Sequence, residues 1–418
     1  MRIALITAPN PVAPDGVLSG QPAPGHCLAQ AMARLGHRVT VYARSEDPDG
    51  PRTAILGRGL SVEHVLAGPE RPLPADQAAR HMPELACQLS ARWRTRPPDV
   101  VHAFTWTCGL AALGAGRNAG VPVLQSFGSL GSAERRRAGR VDVSACRVKL
   151  ESYLGRTASA VLAGSAEEAD ELTRLAIPRA AIRVVPAGID TDLFSPAGTE
   201  RTRNGRCRLI AFGQCGEALG LDTAIRALTK LPDAELVIVG GPDGEHLPRS
   251  GPFRELARLA STLRVRKRVR FAGQVTLADL PELLRSADVM VSASPYEPTG
   301  TPAIQAMACG VPVVVSDVGA HADAVIDGVT GLLVPPENAG ALAHRLRLLL
   351  ARPALLQAYG FAAADRARSR YSCDRIGRET VAAYQRCLDA TSTLPPACDD
   401  DSAGTVQAAD LSEVAAFG

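Results

Sequence analysis

The sequence predicts an α/β protein built from two doubly wound parallel sheets, and three observations carry that prediction. Short apolar runs recur along the whole chain, as buried parallel strands require. They alternate with stretches of helical periodicity, punctuated by Gly and Pro. The 418-residue length suggests two or three domains, each long enough to bury its own core.

The first unit shows the pattern plainly. Ile3–Thr7 is an apolar run, and Asn10–Pro24 is rich in Pro and Gly, a loop. From Gly25 the chain turns helical, with Leu28, Met32 and Leu35 on one face and Gly36 as the stop. Val39–Tyr42 then begins the next strand, which completes a βαβ unit. Val100–Ala103 and Val121–Gln125 bracket a Gly/Ala-rich helix, and Ala160–Ala163 and Ile182–Val185 bracket the helix Ala166–Leu175. The second half repeats the theme with strands at Leu209–Phe212, Leu236–Val239, Val269–Phe271, Val289–Ala293 and Val313–Ser316.

The polar, apolar-poor stretch Pro196–Arg206 marks the boundary. It divides a first domain, 1–195, from a linker, 196–206, and a second domain, 207–372. A helix at 373–390 follows, then an acidic tail at 391–418 that reads as disordered. Two such domains in tandem create a cleft, and ligands of open α/β sheets sit at the carboxyl ends of the strands. The cleft is therefore the default site.

Composition excludes several classes. A net charge of +3 gives no argument for nucleic acid, and 4% aromatic residues leave little for base stacking. The ten cysteines form no C-x-x-C pair and no zinc spacing, so they read as buried thiols of a reducing cytosol. No apolar run is long enough to span a bilayer. The reading is a cytoplasmic protein, with the basic run Arg135–Arg140 as a candidate peripheral contact at the inner membrane face. A second basic run, Arg264–Arg270, reads as a solvated helix end.

The segment Tyr296–Asp317, YEPTGTPAIQAMACGVPVVVSD, carries the chemistry. A strand ends in the loop PYEPTG, and a helix begins near Thr301, with Pro302 where its missing N–H costs nothing. The backbone N–H groups of that helix start favour an anion such as a diphosphate. Glu297 stands just before them, either as a solvated loop acid or as an acceptor for sugar hydroxyls.

This segment resembles the signature of glycosyltransferase family 4, a Glu followed after seven residues by a second Glu. Glu297, Pro298, Gly300, Ala306, Met307, Ala308, Cys309, Gly310 and Pro312 all match. VVPAGIDTDLFSP at Val184–Pro196, GVTGLLVPP at Gly328–Pro336 and SGQ at Ser19–Gln21 resemble further motifs of the family, in the right order. The resemblance covers roughly residues 1–390. It implies a GT-B fold, two Rossmann-like domains facing across a cleft with the last helix crossing back to the first. It implies an NDP-sugar donor on the second domain, an acceptor on the first, transfer with retention, and no metal or other cofactor. It also implies a small-molecule or lipid-linked acceptor and no nucleic acid. Carried over position by position, Glu297 is the catalytic residue. Gly213, Gln214, Gly300, Thr301, Gln305, Gly20 and His321 are the donor-binding set.

Several positions depart from the family. Gln214 stands where an Arg grips the diphosphate, and Leu219 where a Lys does. Gln305 replaces the second signature Glu, Gly128 replaces a cleft His, and Ser19 replaces a Gly. A hydrogen bond to a charged group contributes roughly 1.5–3 kcal/mol, so losing both bases costs about 3–6 kcal/mol. That is about a hundred- to ten-thousand-fold in rate. Two readings follow: a transferase in which other bases, with Arg183, Arg206 and Arg208 as candidates, take over, or a degenerate member. The degenerate member would bind a sugar nucleotide or serve as partner subunit of an active glycosyltransferase. A nucleotide-sugar epimerase of the same fold ranks lower, since it lacks the signature. His26 and His102, near strand ends of the first domain, are further candidates for the acceptor cleft.

Overall fold

In the computed structural model the first apolar run forms strand β1, Arg2–Thr7, with its last five residues buried. The structure describes residues 1–8, 25–137, 139, 143–202, 205–213, 220–241 and 251–392. Gly20, Ser19, Gln21, Gln214, Leu219 and most of the acidic tail lie outside the described residues.

Helix α1, His26–Arg34, buries Met32 and leaves Leu35, beyond its end, 39% exposed. The expected apolar face is thus shorter than its spacing suggested, because the helix stops before Leu35. β2, Arg38–Arg44, then pairs in parallel with β1, Arg2 opposite Arg38 through Thr7 opposite Ala43. β3, Thr53–Gly57, and β4, Leu60–Val65, form an antiparallel hairpin. β5 (Val100–Ala103), β6 (Val123–Gln125), β7 (Ala160–Ala163) and β8 (Ile182–Val184) complete an eight-stranded sheet ordered β3-β4-β2-β1-β5-β6-β7-β8.

The chain leaves that sheet at Val184 and enters the second at β9, Cys207–Phe212. β10 (Ala234–Val239), β11 (Val269–Gly273), β12 (Val289–Ser292), β13 (Val313–Ser316) and β14 (Gly331–Val334) follow. The order β11-β10-β9-β12-β13-β14 reverses direction between β9 and β12. That reversal opens a crevice at the carboxyl ends of those strands, the general ligand position of doubly wound sheets. Both faces of the sheet are covered, so successive residues of β9 enter different cores: Leu209 and Ala211 one, Ile210 the other. Continuous apolar runs are what such a two-sided strand needs.

The long helix α14, Pro353–Tyr371, ends the second domain, and α15, Cys373–Ser392, returns to pack on α1. The turn between them is held by an isolated pairing: Ile189 N–H donates to the Tyr371 carbonyl at 2.8 Å, and Cys373 N–H donates to the Ile189 carbonyl at 2.9 Å. Tyr384 of α15 is fully buried in the first domain's core.

Two expectations are corrected here. Cys27 and Cys373 form a disulfide, with their Cα atoms 6.0 Å apart, rather than standing as free thiols. The crossover of α15 brings together residues 346 apart in sequence, which no local spacing could reveal. His102 does not face a cleft. It is buried, with Nδ1 2.7 Å from the Tyr384 hydroxyl and Nε2 2.9 Å from Ser126 Oγ, and burial pushes its pKa down to about 3.

Candidate active site

The loop after β12 is shaped by its own hydroxyls. Ser316 Oγ donates to the Ser294 carbonyl at 2.6 Å, and Ser294 Oγ donates to the Tyr296 carbonyl at 2.6 Å. These bonds turn the chain so that Glu297 is buried, only 8% exposed, just ahead of helix α11, Thr301–Ala308. Glu297 Oε1 accepts from Gly300 N–H at 3.1 Å, and its carbonyl accepts from Ala320 N–H at 2.9 Å. The solvated-loop reading of Glu297 is therefore overturned.

His321 lies on the short helix α12, Gly319–Ala324, with its ring fully buried and Nε2 3.8 Å from Glu297 Oε2. Burial lowers its pKa, and the Glu297 carboxylate opposes that shift. Among the described residues neither ring nitrogen has a hydrogen-bond partner, and neither does Gln305 Oε1, one turn along α11 from Thr301. Buried orphan polar atoms are rare and ask for an explanation, of which a ligand is one. Gly213 closes β9 at the same end of the sheet. Gly220 lies against the main chain of Ala293 and Ser294, just past the end of β12.

The first domain closes the other side. A narrow crevice is lined by Tyr296, Glu297, Pro298 and Gly319 from one domain and by Leu130, Arg136 and Glu168 from the other. Helix α7, Ala166–Arg174, starts at this crevice, where Ser165 Oγ caps it by accepting from Glu168 N–H at 3.1 Å. Glu168 Oε2 accepts from Gly164 N–H at 2.6 Å, while Oε1 has no partner among the described residues. Burial pushes the Glu168 carboxyl up to about 7, with the Gly164 hydrogen bond opposing and Glu151 adding to the rise. Neither Glu168 nor Tyr296 was singled out from the sequence as a site residue. The S-x-x-E spacing of Ser165 and Glu168 was the available signal, but it reads equally as an ordinary capping box.

The structure also removes candidates. Arg208 stands at the start of β9, opposite the site, buried against Glu235 at 2.8 Å and Ser286 Oγ at 2.8 Å. Arg183 and Arg206 donate to nearby carbonyls, of Ala180 and Pro232. None of the three reaches the cleft. Arg136 and Arg137 of the first basic run pair with Glu171 and Glu167, each at 2.6 Å, so two of its charges are ion-paired though exposed. In the second run Arg268 bonds the carbonyls of Leu228, Leu231 and Ala234, a structural role at the end of α8, Leu221–Leu228. Gly128, which stands where the family has a His, adopts φ +71°, a left-handed conformation that favours glycine. Among the described residues no group of three or more His, Cys, Asp or Glu could hold a metal ion, and no helix is long and apolar enough to cross a membrane.

Comparison with known proteins decides the family. Residues 26–193 match the model for Glycosyltransferase Family 4, and residues 200–366 match that for Glycosyl transferases group 1. A D-inositol 3-phosphate glycosyltransferase from Actinosynnema mirum is 31% identical over 385 residues, covering 86% of this chain and 90% of that protein. The chain belongs to glycosyltransferase family 4. Among solved structures, sucrose-phosphate synthase from Thermosynechococcus elongatus superposes with a TM-score of 0.84 at 26% identity, covering 93% of this chain and 99% of that one. Anabaena HepE, in complex with UDP and glucose, shares the fold with a TM-score of 0.70 at 19% identity, over 94% of this chain and 100% of that one. The two-domain GT-B architecture expected from the resemblance is thus the observed one. The family's activity, glycosyl transfer from a nucleotide sugar, is the one this chain's relatives carry, and it favours a working transferase over a degenerate binder.

Proposed function

We propose that this family 4 protein moves a glycosyl group from a nucleoside diphosphate sugar to a hydroxyl of a small-molecule acceptor, with retention and without metal. The observation that carries this reading is the buried Glu297 carboxylate at the start of α11, held by Gly300 N–H and backed by His321. A desolvated acid with one oxygen fixed offers the other to a ligand hydroxyl, and the helix start beside it favours the donor's diphosphate.

In the proposed reaction the bond between the sugar's anomeric carbon and the phosphate oxygen breaks, and a bond to the acceptor oxygen forms on the same face. The acceptor's proton passes to the departing phosphate. Glu297, held by the Gly300 N–H, orients the donor sugar, and Thr301 presents its main-chain N–H to developing negative charge. Gln305 holds the nucleotide ribose through its amide, and His321, its pKa lowered by burial, packs beside Glu297. Gln214 offers an uncharged contact where the family has a cation, and Gly213 and Gly20 have no side chain to hinder the donor.

UDP-sugars are the first donors to test, since HepE was solved with UDP and glucose. Phosphorylated polyols are the first acceptors, since the names of the inositol and sucrose-phosphate relatives both carry a phosphate. Lipid-linked acceptors form the second arm. The purified protein is assayed for NDP release and for the anomeric configuration of the product. Glu297→Gln is expected to lower kcat about a hundredfold while nucleotide affinity persists. Nucleotide binding with no NDP release for any acceptor would overturn the proposal in favour of a non-catalytic subunit.

A further inference from the structure

Two helices on opposite sides of the crevice exchange carboxylates. Glu167, on α7 of the first domain, reaches across to accept from Gly319 N–H at 2.5 Å. Asp323, on α12 of the second domain, reaches back to accept from Ala166 N–H at 2.7 Å. A third bond crosses the same crevice, from Leu130 N–H to the Tyr296 hydroxyl at 3.3 Å. All three join a side chain of one domain to the main chain of the other.

Each acid is braced from behind. Arg137 pairs with Glu167 at 2.6 Å. The Asp323 carbonyl accepts from Arg366 Nη2 at 2.8 Å and from the Tyr371 hydroxyl at 3.1 Å, which fixes the turn that presents its carboxylate.

The exchange presses on the residue that matters for transfer. Gly319, whose N–H donates to Glu167, has φ +50°, and a Cβ there would fall 2.1 Å from the Glu297 carbonyl oxygen. The next N–H, of Ala320, donates to that same carbonyl. Tyr296 directly precedes Glu297. Separating the two domains would remove the Glu167 contact on one side of Glu297 and the Leu130 contact on the other.

We infer that Glu167 and Asp323 are positioning residues, a reciprocal pair of interdomain hydrogen bonds that closes the cleft and sets Glu297 for transfer. The inference rests on the transferase reading for its catalytic consequence but not for the closure itself. A misplacement of about 1 Å in a catalytic group can cost about a hundredfold in rate, so modest bonds far from the reacting atoms have leverage.

The test uses the full chain. Glu167→Ala with Asp323→Ala is compared with the parent by small-angle X-ray scattering, thermal melting and steady-state kinetics. The expected result is a larger radius of gyration, kcat lowered about tenfold and donor KM within about threefold of the parent. Glu167→Gln, whose amide oxygen still accepts from Gly319 N–H, should recover most of kcat. A scattering profile identical to the parent's would overturn the inference. So would a loss of activity that merely tracks the loss of folded protein in the melting curves. If the parent turns over no NDP-sugar, the proposed function fails while the scattering comparison still decides the closure.

Discussion

Glu168 shows how one buried atom sets a measurable pH dependence. Its carboxyl is pushed up to about 7 by burial, against an ordinary value of 4.5. The folded state therefore holds a proton that the unfolded chain has already released. Stability from this group is present below about pH 4.5 and lost as pH rises through about 7. Glu168→Gln, neutral at every pH and still able to accept from Gly164 N–H, should match the parent at pH 4. At pH 8 it should exceed the parent by roughly 1–3 kcal/mol. Thermal melts at the two pH values check this, and a gain of equal size at both would refute it. His102 runs the other way. Its pKa is lowered to about 3, so its contribution is present above pH 6.5 and lost as pH falls towards 3. That residue was legible as a histidine near a strand end but not as a buried one, because its partner Tyr384 lies 282 positions away.

At the scale of elements, strands buried on both faces announced themselves. Val100–Ala103, Ala160–Ala163 and Val313–Ser316 were read from sequence with their observed bounds. The hairpin β3–β4 was missed because β3 is an edge strand with little burial, so selection for an apolar run is weak there. The helix α14 was missed as well, since its buried residues are largely Ala and Gly and leave a faint apolar pattern. Packing between elements supplies a sharp test at Gly220, which has φ +74° ahead of α8. A Cβ there would meet the main chain of Ala293 and Ser294 at 2.5 Å, and main chain cannot rotate aside. Gly220→Ala should destabilise the second domain by about 2 kcal/mol or more and impair activity. Unchanged melting and kcat would show that the β12 loop yields.

Across the whole molecule, the crossover helix α15 joins the two ends of the chain. The disulfide from Cys373 to Cys27 fastens it, and the pair Arg34–Asp374 at 2.7 Å adds an exposed contact beside it. Closing so long a loop restricts the unfolded chain, a contribution of about 2–4 kcal/mol in the usual range for disulfides. Reducing agent should therefore lower the melting temperature of the parent, Cys27→Ser should reproduce the reduced value, and the variant should no longer respond to reductant. A parent whose melting ignores reductant would show that the link contributes nothing in solution.

The strand and helix alternation, the two sheets and Glu297 at the head of a helix are all legible along the chain. These follow from patterns spanning a few residues, which local hydrophobic periodicity and turn chemistry write directly into the chain. It also carried the family, because its motifs are short and contiguous. Folding alone places Glu297 in a buried position beside His321, sets Arg208 at the wrong end of its strand, and brings Glu167 and Asp323 to backbone across the cleft. It alone paired Cys27 with Cys373 and His102 with Tyr384. Such facts depend on which distant segments the packing brings within hydrogen-bond reach, and spacing along the chain holds no record of that.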